Sequence, residues 1–136
     1  MTPEQTKEQN KEIVRRAIAA ISRGDLDGFM ADASEDVTLS VMGAVFPPIH
    51  GKAKVMKGLR NALGARLENG GAIAMTIENL IAEGDYVAEQ SHGKARTKDG
   101  KDYNNTYCRV WRIADGKIHA MQEYLDTELV RSCLMD

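Results

Sequence analysis

His92 and Glu123 are side chains of types that trade protons, and each sits in a stretch that reads as a β-strand. Side chains alternate across a strand, so Tyr86, Ala88, Gln90 and His92 share one face of theirs, and Val87, Glu89 and Ser91 share the other. By the same count His119, Met121, Glu123 and Leu125 point together on the last strand. An imidazole and a carboxylate brought into one apolar pocket form a general acid–base pair, because burial raises the pKa of a carboxyl group and an imidazole exchanges protons near neutral pH. There Glu123 would abstract a proton from carbon next to a carbonyl, and His92 or Gln90 would hydrogen-bond the developing enolate. Two other arrangements fit the same alternation. Glu123 and His92 satisfy one another inside a binding cavity, or the faces are reversed and both are solvated.

The remaining reactive types are less informative. His119 lies close to a turn and reads as a rim or surface residue, and His50, after Pro47-Pro48-Ile49, reads as a loop histidine at a pocket mouth. The three histidines lack the helical or hairpin spacing of metal ligands, so neither a metal nor another cofactor is expected. Cys108 and Cys133 are the only cysteines, too few and too far apart for a disulfide framework, and they read as small hydrophobes in a reducing compartment. Tyr107, Arg109, Trp111 and Ile113 alternate onto one sheet face with the composition of a protein interface, which predicts a homodimer. The competing account is packing of that face against the segment from Glu128 to Met135.

The elements that must position these residues follow from hydrophobic period and turn chemistry. Ile13, Val14, Ala17, Ile18 and Ile21 predict an amphipathic helix over 8–22, and Gly24-Asp25 ends it and caps a short helix over 25–31. Val37 to Met42 reads as the first strand, and Pro47-Pro48 makes the next stretch a loop or edge segment. A third helix is predicted over 52–67, stopped by Asn69-Gly70-Gly71. Four strands follow over 72–82, 85–97, 102–113 and 117–126, separated by Glu83-Gly84, Lys98-Asp99-Gly100 and Asp115-Gly116. Helices first and a meander after them predict an α+β fold with the helices on one face of a curved sheet.

A chain of 136 residues gives room for one domain, residues 1–136, and its 43% apolar and 28% charged content is that of a protein with a core. A net charge of -2 without a basic stripe argues against nucleic acid. The polar start and the lack of a long apolar run argue against a leader, a membrane span and a membrane partner, so a cytoplasmic location is expected.

Two stretches carry a family resemblance over roughly residues 8–130. Ile13 to Phe29, with Gly24-Asp25-Leu26 between helices, and Tyr107 to Ile118 followed by Gln122-Glu123-Tyr124-Leu125-Asp126-Thr127, resemble the SnoaL-like polyketide cyclases and ketosteroid-isomerase relatives of the nuclear transport factor 2-like superfamily. The resemblance implies a cone-shaped α+β fold, and it places both alternating sets and Cys108 on the concave side. His92 and Glu123 would then be catalytic, with Gln90, Met42, Cys108, Val110 and Met121 binding a small apolar ligand. Where ketosteroid isomerases carry their base and oxyanion-hole residues, this chain has Val41, Ala17 and Cys108. The Asp-Arg-Asp set of limonene-epoxide hydrolases would fall on His92, Gln90 and Glu123, whereas the SnoaL-like cyclases keep a carboxylate at Glu123 and commonly a histidine near His92. The implied activity is acid–base chemistry of an isomerase, cyclase or hydrolase type on an apolar carbonyl compound. The alternative from a different class is a noncatalytic ligand-binding or protein-interaction module.

Overall fold

The computed structural model describes residues 1–135. Helix α1 runs from Pro3 to Ser22, five residues earlier than the apolar period predicts, because Thr2 and Gln5 form a reciprocal capping box around Pro3. Gly24 ends it at φ +78, and a Cβ there would meet the Asn69 carbonyl oxygen at 2.6 Å, so this corner admits no larger residue without a shift. Asp25 then caps the short helix α2, Leu26–Phe29, by accepting from the Gly28 amide at 2.8 Å.

Strand β1, Ala33–Val41, begins before the β-branched run, and β2 is a two-residue edge strand, Ile49–His50, directly after the two prolines. Helix α3, Lys52–Leu59, continues into a π-helical turn, Arg60–Gly64, closed by the Ala65 amide on the Arg60 carbonyl at 2.8 Å. Strands β3 (Ala74–Glu83), β4 (Tyr86–Lys94), β5 (Thr106–Ala114) and β6 (Lys117–Leu125) form the meander, and α4, Thr127–Leu134, closes the chain. Asp126 caps α4 through the amides of Glu128 and Leu129.

The six strands make one sheet in the order β2-β1-β6-β5-β4-β3, with β1 parallel to β6 and every other pair antiparallel. The fold is therefore α+β, with helices packed on a curved, mostly antiparallel mixed sheet, as the sequence predicts. Ile13, Val14, Ala17, Ile18 and Ile21 of α1 are buried with Val87, Trp111, Ile113, Ile118 and Met121 of the sheet, and Phe29 meets Trp111 edge-on at 6.0 Å. Among the described residues no helix is long and apolar enough to cross a membrane.

One local feature decides which residues face the core. Asp115 and Gly116 both have positive φ, as a two-residue hairpin of mirror-image type requires. Ile113 pairs with Ile118, but Arg112 pairs with Ala120, so His119 is an extra residue, a β-bulge. Beyond it the register is offset by one, and Arg109, rather than Cys108, stands opposite Glu123.

Candidate functional site

A cavity of about 250 Å³ opens between the concave sheet face, the helices and the loop around Phe46 and Pro47. Ile21 of α1, Phe29 of α2, Leu59 of α3 and Val130 and Leu134 of α4 form its apolar walls, and the π-helical turn turns Ala62 and Leu63 toward it. Its floor holds four polar side chains: Tyr107, Arg109 and Glu123 on the sheet, and Tyr103 from the segment that precedes β5. Val41, the register partner of Glu123 on β1, lies beside it, and the Met42 amide donates to the Glu123 carbonyl at 2.8 Å.

The bulge builds an ion network across three strands. Glu89, Arg109 and Glu123 are cross-strand partners on β4, β5 and β6. Arg109 Nη1 donates to Glu89 Oε2 at 2.8 Å, and its Nε donates to Glu123 Oε2 at 2.7 Å. Glu89 is fully buried and also accepts from Trp111 Nε1 at 3.0 Å and from the Ser91 hydroxyl. Burial works against the charge of Arg109, but the carboxylates of Glu89 and then Glu123 more than offset it, and its pKa stands above the ordinary arginine range. The guanidinium also lies 4.2 Å from the Tyr107 ring centroid and 5.9 Å from that of Phe29. Glu123, with a side chain 12% exposed, has one oxygen engaged, and among the described residues Oε1 has no partner. Two carboxylates and one guanidinium give the network a formal charge of about -1.

Of the residues expected from sequence, Glu123 lines the cavity and the others do not. His92 lies on the opposite face, its side chain 42% exposed, with Nδ1 2.9 Å from Glu78 Oε1. Gln90 accepts from Asn79 on that outer face, and Cys108 and Val110 are half-buried beside it. Met42 is half-buried past the end of β1, and Met121 is packed in the core under the cavity floor. His92 and Glu123 do not meet. The face expected to join two copies is the interior one: Tyr107, Arg109, Trp111 and Ile113 are all buried, and they cannot form a surface between molecules.

The physical reason for both corrections is the same. With a regular two-residue hairpin at Asp115-Gly116, residue 108 would stand opposite 123, and the His119 bulge replaces it with 109. The opposed charges of Glu89, Arg109 and Glu123 were the signal in the sequence, since an arginine on the middle one of three neighbouring strands can pair with glutamates on both others only when all three share a face. The carboxylate–arginine–carboxylate order that the resemblance placed on His92, Gln90 and Glu123 is present on Glu89, Arg109 and Glu123 instead. Among the described residues no group of His, Cys, Asp and Glu converges in the manner of metal ligands.

The model of the SnoaL-like domain matches residues 14–121. No curated protein matches the chain. Solved structures do. A protein of unknown function of the nuclear transport factor 2-like fold from Burkholderia pseudomallei K96243 is 18% identical, with 94% of this chain and 98% of that one covered at a TM-score of 0.79. A protein described as a SnoaL-like polyketide cyclase from Jannaschia sp. CCS1 is 15% identical, with 94% and 92% covered at 0.77. An LEH-like epoxide hydrolase from M. tuberculosis is 19% identical, with 95% and 91% covered at 0.73. At these identities the likeness establishes the fold.

Proposed function

We propose, from the premise that the chain belongs to the SnoaL-like domain family, that it performs cofactor-independent acid–base chemistry on a small, apolar carbonyl compound. The observation that carries the reading is Glu123: a carboxylate held on one oxygen by a buried arginine at 2.7 Å, in the wall of an otherwise apolar cavity. Such a group is oriented before a ligand arrives, and a positioned base needs no further reorganisation at the moment of proton transfer. Arg109 fixes Glu123, and Glu89 with Trp111 and Ser91 fixes Arg109, so three strands set the direction of one carboxylate oxygen.

Proton abstraction from carbon next to a carbonyl would use Oε1 of Glu123 as base; return of that proton to another carbon of the same molecule would complete an isomerisation, and attack of the enolate carbon on a second carbonyl carbon, with the π bond opening and its oxygen taking the proton, would complete a ring closure. The likenesses to a described polyketide cyclase and to an epoxide hydrolase support a reaction class of this breadth without selecting a substrate. The test is exchange of α-hydrogens into D2O, followed by proton NMR for a panel of cyclic enones and aryl ketones. Glu123→Gln keeps the shape and removes the base, so exchange should fall by about two to four orders of magnitude. Exchange that survives the substitution removes Glu123 from the chemistry.

A second reading, ligand binding without turnover, is favoured by the completeness of the Glu89–Arg109 network, in which the protein's own donors, from Arg109, Trp111 and Ser91, satisfy Glu89. A ligand held by the cavity and recovered with no deuterium incorporated would select it.

A further inference from the structure

Helix α3 treats its cations differently from α1 and α4. On α1, Lys7, Lys11 and Arg15 each have a glutamate three residues before them, and on α4 Arg131 has Glu128. Residues 37–67, which include α3, hold five Lys and Arg and no Asp or Glu, in a chain with 18 basic and 20 acidic residues. Lys52 donates to the Ala33 carbonyl at 3.4 Å and Arg60 meets Asp27 at 3.5 Å, but among the described residues Lys54 and Lys57 have no partner, and both are exposed. Lys54 also stands in the first turn of its helix, where the dipole opposes a cation and where α1, α2 and α4 carry Glu4, Asp27 and Glu128. A cation kept there calls for a cause outside the helix.

The cavity mouth supplies one. A recess of about 440 Å³ meets the cavity along Gly58, Ala62 and Leu134, which line both. Its other walls are Asn61, Arg66 and Met135, and among the described residues no carboxylate lines it. Residues four apart share a helix face, so Lys54 stands one turn before Gly58 and Lys57 one turn before Asn61. Side chains lean toward the N-terminus of their helix, and the chain that leads into α3 there supplies Pro47 and Ile49, the opposite lip of the cavity. The floor has the other sign, since Glu89 and Glu123 outnumber Arg109. The space therefore runs from a negative floor between apolar walls to a positive rim.

We infer that the ligand is an amphiphile with an anionic tail: its apolar carbonyl end enters the cavity, and a carboxylate or phosphate stays at the rim, held by Lys54 and Lys57. The floor network repels an anion, so the charges that attract the tail also set which end enters. Two free ammonium groups match one small head group, whereas an anionic membrane surface is met by clusters of about four to eight Lys or Arg. The inference deepens the acid–base reading by giving the substrate a charged end. It rests on that reading for the cavity as the place of binding and not for the chemistry of Glu123.

The test uses three probes that share one aryl ketone: 5-oxo-5-phenylpentanoate, its methyl ester, and 4-oxo-4-phenylbutyl phosphate. Dissociation constants are measured by ligand-observed NMR at low salt on wild type, on a Lys54→Gln, Lys57→Gln variant, and on a Lys7→Gln, Lys11→Gln variant that removes the same charge from α1. Wild type should bind at least one anion about three- to tenfold more tightly than the ester, the worth of two exposed ion pairs, and added salt should shrink that preference. The α3 variant should bring the two constants to within about twofold of each other while the ester binds as before, and the α1 variant should keep the wild-type ratio. A preference confined to the carboxylate or to the phosphate supports the inference and names the head group. Equal binding of ester and anions by wild type, no binding of either anion, a preference that survives in the α3 variant, or one lost equally in the α1 variant overturns it. Loss of D2O exchange in Glu123→Gln with no preference for an anion leaves the base in place and removes the rim. Exchange that survives in Glu123→Gln, with the preference lost in the α3 variant, removes the base alone.

Discussion

Glu89 meets three donors, from Arg109, Trp111 and Ser91, and is fully buried. Breaking one side of a buried ion pair leaves the other charge without full compensation, which typically costs about 3–5 kcal/mol, more than most single substitutions. Glu89→Gln should therefore lower the unfolding free energy by about 3 kcal/mol in urea titration. A loss under about 1 kcal/mol would mean that Glu123 alone suffices to compensate Arg109. The two buried phenols give a pH signature at the same scale. Their folded pKa values are raised, so the protonated form is the one the fold favours, and the stabilisation is complete below pH 10.0, the unfolded value, and is lost as pH rises above it. Each phenol should remove up to about 1.4 kcal/mol per pH unit above that point. Denaturation at pH 9 to 11 should show a shallower alkaline decline in a Tyr103→Phe, Tyr107→Phe double variant than in wild type, and equal slopes would place both phenols in contact with solvent.

The hairpin of β5 and β6 is the element on which the reading of the chain divides. Its turn was legible, because Asp115-Gly116 between alternating apolar runs is a strong two-residue hairpin signal and both residues take positive φ. The bulge was not legible, since His119 differs in no chemical respect from a residue of a regular strand, and tertiary packing of Ile118 below it and Met121 beyond it on the same core selects the offset. A slip of one residue exchanges the two faces, so a regular hairpin would set Cys108 opposite Glu123, whereas the bulge sets Arg109 there, with Glu89 beyond it. The helices were legible from the apolar period of α1 and α3, and their ends less so, because a cap such as Thr2 with Gln5 acts before the periodic residues begin. Helix α4 has too short an apolar period to read as an element, and its cap is what holds it: Asp126 accepts from two amides, and Asn105 clamps the Asp126 backbone from both sides. Asp126→Ala should cost about 1 kcal/mol in chemical denaturation. Because Val130 and Leu134 are cavity walls, the same change should weaken acetophenone binding; full retention of binding would show that α4 holds its place without the cap.

At the scale of the molecule, the cavity itself is the feature that stability does not explain. Apolar space left unfilled in a protein forgoes dispersion contacts, and the penalty grows by about 24 cal/mol for each Å³ of cavity in a well-packed core. A void of about 250 Å³ is large on that scale, even where solvent enters through its mouth and lowers the penalty. The helices close around it nonetheless: α1 and α2 pack on the sheet through Ile21 and Phe29, and the π-helical turn after α3 presents the small side chain of Ala62 to the space. A larger apolar residue at that position would fill volume that the fold leaves open. Ala62→Leu should therefore raise the unfolding free energy by about 0.5–2 kcal/mol, the usual gain from filling a cavity, while occupying the space that a ligand needs. Thermal unfolding and acetophenone titration on the same preparation read the two effects together. A higher midpoint with binding lost is the outcome expected of a cavity kept for a ligand. If the variant melts lower, the space around Ala62 is closed in solution; if it binds acetophenone as wild type does, the ligand lies elsewhere, and the assignment of this cavity as the functional site fails with it.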